Sequence, residues 1–241
     1  MQKPFLSAEW RNLLMANYEV DPGILKKYLP CHTELDDFNG KHYVSLVGFL
    51  FTNTKIRGIS FPFHKTFEEV NLRFYVRYRQ NNIWKRGVVF IKEIVPRSMI
   101  TLVANKFYNE NYATYPMKHI WAFANDEIKI EYYWQVGKQW NYIKATASKV
   151  PVDLLPDSKE EFITEHFWGY TFIDKDCSGE YEVVHPRWRT HTIRTYDVLC
   201  NTKELYGEDF VATLDQQPKS VFLAEGSAIK VMKGARLFRA I

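Results

Sequence analysis

The chain has 241 residues, of which 46% are hydrophobic, 25% charged and 16% aromatic, the balance of an ordinary globular protein long enough to bury a proper core. A net charge of +4, with no dense Lys/Arg cluster interleaved with aromatics, offers no electrostatic footprint for nucleic acid. No apolar run reaches the length of a membrane span, and the N-terminal MQKPFLSAEWRN has no apolar signal core. Three scattered cysteines, Cys31, Cys177 and Cys200, read as reduced thiols, so the expectation is a cytoplasmic protein.

The first strand is expected over Arg11 to Val20, with Leu14, Ala16, Tyr18 and Val20 on one face and Leu13, Met15, Asn17 and Glu19 on the other. Asp21 and Pro22 then open a short helix that closes by Pro30. Tyr43 to Phe51 (YVSLVGFLF) is almost wholly apolar, the pattern of a strand covered on both faces. Glu69 to Arg79 alternates cleanly, Asn81-Asn82 turns the chain, and Trp84 to Val95 returns. Glu68 and Glu69 ahead of Arg73 have two readings, an ion pair pointed into the interior or an exposed edge.

Ser98 to Tyr108 has helical spacing, with Ser98 as N-cap and Met99, Leu102, Val103 and Phe107 on the packing side. A second hairpin follows, Ile128 to Trp134 and Trp140 to Ala147 across Gly137-Lys138. Pro151 to Asp157 is a loop, and Ser158 to Glu161 is a capping box opening a helix to about His166 or Phe167. Strands are expected at Tyr170–Ile173, Glu180–Val184 and Thr190–Leu199, the first two joined by Asp-Cys-Ser-Gly. A short helix is expected within Leu205 to Leu214. Lys219–Ala224 and Ile229–Phe238 read as a closing hairpin around Glu225-Gly226. Short helices among many antiparallel strands make the fold class α+β, predominantly antiparallel β, with a closed or nearly closed sheet in one domain spanning 1–241.

The sequence carries no phosphate loop, dinucleotide fingerprint or nucleophile elbow, and no His/Cys spacing that marks a metal site. His185 and His191 bracket Arg187 and Arg189, which with Arg194 read as a charged strand face rather than a metal or anion site. The stretch Val103–Lys118 (VANKFYNENYATYPMK) concentrates asparagines, a glutamate and tyrosines at a break in the core pattern, which is what a pocket wall needs.

Two sets of residues carry a family resemblance. One is Trp10-Arg11 followed by Asp21, Leu25-Lys26-Lys27, Pro30, Glu34 and Asp36, a pattern similar to the N-terminal region of acetoacetate decarboxylases. The other is FEEVNLRFYV with KEIVPRSMITLVANKFYNENY, which resembles the YqjF-like bacterial family of unknown function in the acetoacetate decarboxylase-like superfamily. The resemblance implies antiparallel sheets wrapped into a cone-shaped closed barrel around an internal pocket, and a possible homodimer. Decarboxylases of that superfamily form a Schiff base on a lysine beside a second lysine. Without gaps from Val103, that doublet falls on Tyr112 and Ala113; a gapped frame places it on Tyr115-Pro116-Met117-Lys118. The acidic residue that those enzymes carry in the strand after the first helix has no clear counterpart in YVSLVGFLF.

Three functions follow as expectations. The first is a pocket that binds or acts on a small organic acid or carbonyl compound without the lysine pair and with no cofactor or metal. Its ligand-binding residues would be Arg11, Glu69, Arg73, Asn105 and Tyr108, and Glu110 and Tyr112 would supply proton transfer. The second is Schiff-base chemistry on Lys118 or Lys106. The third is a structural or protein-interaction domain whose interior is filled by its own aromatics.

Overall fold

The computed structural model describes residues 3–238, and for Phe107 the backbone alone. Fourteen strands carry the fold: β1 (Leu6–Glu19), β2 (Glu34–Leu35), β3 (Tyr43–Ile56), β4 (Phe67–Gln80), β5 (Ile83–Val95), β6 (Tyr112–Thr114), β7 (Met117–Phe123), β8 (Glu127–Val136), β9 (Gln139–Val152), β10 (Trp168–Asp174), β11 (Cys177–Val184), β12 (Thr190–Leu199), β13 (Ser220–Val231) and β14 (Ala235–Phe238). Among the described residues five short α-helices are set between them: α1 (Pro22–Leu25), α2 (Ser98–Tyr108), α3 (Lys159–Thr164), α4 (Thr202–Tyr206) and α5 (Val211–Leu214).

One continuous sheet runs β14-β11-β10-β5-β4-β3-β1-β13-β12-β9-β8-β7. A further pairing of β11 with β13, Val183 with Val231 and Val184 with Lys230, closes seven of these strands into a ring. Of the other five, β14 extends the sheet from β11, while β12, β9, β8 and β7 continue from β13 and fold over the outside of β1, β3 and β4. Two cores result. Leu14, Leu46, Leu72 and Phe74 pack outward against Ile130, Tyr132, Trp134 and Ile143. Leu13, Met15, Val47, Phe49, Phe51 and Tyr75 face the interior of the ring. The apolar run Tyr43–Phe51 is therefore buried on both faces, as its composition requires.

The hairpin of β4 and β5 forms as expected. Asn81 and Asn82 both adopt positive φ (49° and 62°), the conformation that a two-residue turn between twisted strands demands. Asp21 caps α1 by accepting from the backbone N–H of Gly23 at 2.7 Å. The second capping signal forms in part: Ser158 accepts from the Glu161 N–H at 3.2 Å, but the Glu161 carboxylate takes the N–H of Asp157 instead. The helix α3 stops at Thr164, two residues short of the expected end.

Four expectations change. Glu225-Gly226 is no hairpin turn, because β13 runs through it as one strand against β1 and β14 crosses to pair with β11. Gly226, at φ 76°, passes so close to β1 that an added Cβ would lie 2.0 Å from the Trp10 carbonyl oxygen. Cys177 and Ser178 belong to β11 rather than to a turn. The helix α2 has the expected bounds, but its N-cap is Arg97 and no side chain caps it. Of its expected packing face, Leu102 stands 58% exposed, while Met99 and Val103 turn toward the interior of the ring together with Ile100. The expected core contact of Phe107 lies outside the described residues.

Candidate functional site

The ring encloses a cavity of about 270 Å³, walled by residues from all seven of its strands and covered by α2. Alternation along β4 decides its polar lining. Val70, Leu72, Phe74 and Val76 face the outer core, which turns Glu69, Asn71, Arg73 and Tyr75 inward. Glu69 and Arg73 therefore face the interior, but the expected ion pair does not form, and Glu68 points away and meets His119 Nδ1 at 2.7 Å. Glu69 instead accepts from Asn71 Nδ2 at 3.0 Å and from the Tyr112 hydroxyl at 3.0 Å.

Two β-bulges select which neighbours join that face. In β5 the register slips between Leu72–Lys92 and Arg73–Phe90, leaving Ile91 as the extra residue. Side chains beyond a bulge exchange faces. Phe90 and Glu93 consequently both line the cavity, while Lys92 turns out to donate to the Leu205 carbonyl. In β1 a slip between Arg11 and Leu14, with Asn12 at φ 53°, does the same. Trp10 and Leu13 line the cavity. Arg11 is turned away, 42% exposed, and paired with Glu9 at 2.7 Å. Arg11, expected among the ligand-binding residues, thus lies outside the cavity. Tyr132 satisfies the distorted backbone, its hydroxyl donating to the Asn12 carbonyl at 2.8 Å.

The segment after α2 is sewn onto the β5 bulge. Asn109 ends the helix in the left-handed conformation (φ 55°) that this side chain tolerates. Asn111 donates to the freed Ile91 carbonyl at 2.7 Å, and its own carbonyl accepts from Glu93 N–H. Asn105 brackets the Tyr112 backbone, accepting from its N–H at 2.8 Å and donating to its carbonyl at 3.1 Å. Asn105 is exposed and does not line the cavity; its part is to hold Tyr112 in place. What enters the interior is Glu110 and Tyr112, with Tyr108 on the rim donating weakly to the Met232 carbonyl at 3.4 Å.

Glu69, Glu93 and Glu110 thereby converge, one from each of three chain segments. Tyr181 of β11 donates to Glu110 at 2.6 Å. It lies across Gly169 of β10, where any Cβ would sit 2.1 Å from the tyrosine ring. Burial pushes the Glu110 carboxyl up to about 8 and that of Glu69 up to about 7. Glu93 is raised well above the ordinary carboxylate range, first by burial and then by the charges of Glu110 and Glu69. Three carboxyls buried so near one another cannot all ionise, so near neutral pH the cluster holds protons and can both donate and accept. At the other end of the β4 face, Arg73 is 8% exposed and makes no ion pair among the described residues. Its Nη2 reaches the Ile163 carbonyl at 3.4 Å, and its Nε has no protein partner.

The lysines lie elsewhere. Lys118 is on the exposed side of β7, its ammonium 4.6 Å from the Trp140 ring centre, and Lys106 is exposed on α2. No lysine is among the residues lining the cavity. The arginine and histidine cluster at and before the start of β12 is likewise dispersed: Arg187 pairs with Glu161, Arg189 with Glu225 and Arg194 with Asp126 and Glu127, while His191 bonds the Ser148 carbonyl. Among the described residues no group of three or more His, Cys, Asp or Glu side chains is arranged to hold a metal ion.

Sequence reasoning missed Glu93, Tyr181 and His166, the last lining the cavity beyond Arg73. Glu93 was hidden by the bulge, which no alternation rule anticipates. Gly169 opposite Tyr181 was the one available hint for the tyrosine.

Comparison with known proteins agrees with this geometry. Solved structures similar over nearly the whole chain include an acetoacetate decarboxylase from Legionella pneumophila, with a TM-score of 0.65 at 13% identity over 98% of this chain and 88% of that one. Another is the enduracididine biosynthesis enzyme MppR complexed with pyruvate, with a TM-score of 0.66 at 11% identity over 98% and 91%. At those identities the likeness shows the fold, which is acetoacetate decarboxylase-like. In sequence, the chain is 33% identical over 186 residues to the uncharacterized protein YqjF of Bacillus subtilis strain 168, covering 74% of this chain and 72% of that one. Residues 7–228 match DUF2071, described as an uncharacterized conserved protein family, and the chain belongs to that family.

Proposed function

We propose that the cavity binds a small organic acid or carbonyl compound and acts on it through acid–base chemistry, without a Schiff base. The observation that carries this reading is a buried guanidinium, Arg73, left without a carboxylate in the same cavity as three proton-holding glutamates. An unpaired buried cation is costly, and a ligand carboxylate offsets that cost with charge-assisted hydrogen bonds. Protonated Glu110 or Glu93 then donates to a carbonyl oxygen, while Tyr112 and Tyr181 orient the carboxyls. The volume matches about nine waters at ~30 Å³ each, so the ligand has roughly ten non-hydrogen atoms. Apart from the polar groups named, the wall is largely aromatic and aliphatic, including Phe49, Phe51, Phe90 and Val103. An acid with an apolar body suits it. MppR, which shares the fold, has been solved with pyruvate, and an oxoacid is a natural first probe here.

The test is calorimetric titration with a panel of keto and carboxylic acids, run beside borohydride reduction and mass spectrometry. Saturable binding that Arg73→Met weakens, with no mass gain on any lysine, is expected. A covalent adduct on Lys118 or Lys106 would overturn the reading in favour of Schiff-base chemistry. No binding by any acid at millimolar concentration would leave the structural role as the better account.

A further inference from the structure

Of the twelve buried polar side-chain atoms that lack a protein partner among the described residues, six belong to residues lining this cavity: Trp10, Thr54, Asn71, Arg73, Glu93 and His166. Buried polar groups are normally satisfied, so such a concentration marks a place where a polar ligand completes the bonding. The histidine is the most informative of the six, because its surroundings fix which of its nitrogens can take part.

His166 follows α3 and is packed between the rings of Tyr75 and Phe162, at centroid distances of 4.8 and 5.0 Å. Its Nε2 lies 3.1 Å from Oδ2 of Asp36. That same carboxylate oxygen accepts from Arg86 Nε at 2.7 Å, and Arg77 Nη1 stands 3.8 Å from Oδ1. Asp36 flanked by two guanidiniums is ionised and acts only as an acceptor, so the histidine must present an N–H from Nε2. Burial, with Arg86 and Arg73 adding to it, holds the imidazole neutral, its pKa down at about 4 despite Asp36. A neutral ring protonated on Nε2 has a lone pair on Nδ1. Nδ1 is the atom without a partner, on a residue that lines the cavity within reach of the Arg73 charge.

We propose that the Asp36–His166 pair is a recognition site for a hydroxyl group, and that the ligand of this cavity is a hydroxy acid with an apolar body. The carboxylate meets Arg73 and the hydroxyl donates to Nδ1 of His166. Asp36 is a positioning residue: it sets the tautomer and does not touch the ligand. A keto acid or a plain acid leaves Nδ1 unsatisfied, and a site built to bond a hydroxyl discriminates against the analogue lacking it. This assignment rests on the acid-binding reading of the cavity and narrows it to one ligand class.

The probes are 3-phenylpropanoate and its 2-hydroxy and 3-hydroxy derivatives, titrated calorimetrically into the full chain and into His166→Phe. At least one hydroxy isomer is expected to bind about five- to tenfold more tightly than the parent acid, the effect of one net hydrogen bond. In His166→Phe that advantage disappears while the parent acid still binds. Equal affinities in the unsubstituted chain, or an advantage that survives in His166→Phe, overturn the hydroxyl site and leave acid binding intact. If none of the three binds, both readings fall. Should His166→Phe not fold, nitrogen-15 NMR of the unsubstituted chain decides. The expected spectrum shows an unprotonated Nδ1 whose resonance moves on adding a hydroxy isomer and stays in place with the parent acid. A protonated Nδ1, or the same response to all three acids, refutes the assignment.

Discussion

The three cavity carboxyls make stability fall as pH rises, and neutralising Glu110 should remove part of that fall. An unfolded glutamate loses its proton near 4.5, whereas the native chain keeps that of Glu69 to about 7 and that of Glu110 to about 8. Between those limits the native state binds more protons than the unfolded chain, so unfolding free energy decreases by ~1.4 kcal/mol per pH unit for each such group. His166 acts in the opposite sense. Its pKa is lowered to about 4, so it adds stability as pH rises from there to the unfolded histidine value of 6.5, and nothing beyond. His185, also lowered by burial, behaves alike. The window from pH 6.5 to 8 therefore isolates the carboxyls. Over it a carboxyl that keeps its proton to about 8 accounts for roughly 2 kcal/mol, shared within the coupled cluster, and Glu93 adds to the slope in the same direction.

Urea unfolding at pH 6.5, 7.0, 7.5 and 8.0 measures this. With an m-value near ~3 kcal/mol/M, the Glu110 contribution is a midpoint shift of about 0.7 M. In Glu110→Gln the amide oxygen still accepts the Tyr181 hydroxyl, but the group no longer titrates, and the midpoint should fall less steeply by about that amount. A midpoint that is flat or rising over this window in the unsubstituted chain refutes the protonated cluster. So does an unchanged slope in Glu110→Gln.

Three further outcomes are expected. Arg73→Met should weaken binding of a small carboxylate by roughly 10- to 100-fold in calorimetry, while thermal stability holds or rises because a buried unpaired charge is gone. Gly169→Ala places a methyl against the Tyr181 ring; it should destabilise the fold by about 1–3 kcal/mol in chemical denaturation and change Tyr181 fluorescence or NMR signals. Asn105→Ala, which removes both bonds to the Tyr112 backbone, should cost about 1–2 kcal/mol and weaken acid binding, although Asn105 lies outside the cavity.

Much of this architecture was legible in the chain. Alternation in Glu69–Arg79, the apolar run Tyr43–Phe51 and the Asn81-Asn82 turn specified β3, β4 and β5 because each signal is local: a pleat repeats every two residues, and a two-residue turn needs positive φ. Of the stretch Val103–Lys118, expected to be a pocket wall, Val103, Ala104, Tyr108, Glu110 and Tyr112 line the cavity. Its asparagines were not legible as clamps, since the Ile91 carbonyl and the Phe172 carbonyl that Asn111 and Asn109 bond belong to other strands.

What the sequence by itself determined is the set of strands and, within each unbroken stretch, which residues share a face. Only the tertiary structure decided which faces enclose the cavity. One extra residue at Ile91 turns Glu93 in and Lys92 out, and one irregularity at Asn12 turns Trp10 in and Arg11 out. A bulge is stabilised by partners far away in the chain, here Asn111 and Tyr132, so its position is written in contacts and not in any local pattern. The physical reason is the strict two-residue period of a strand: a single slip reassigns every side chain beyond it, and with it the chemistry of the site.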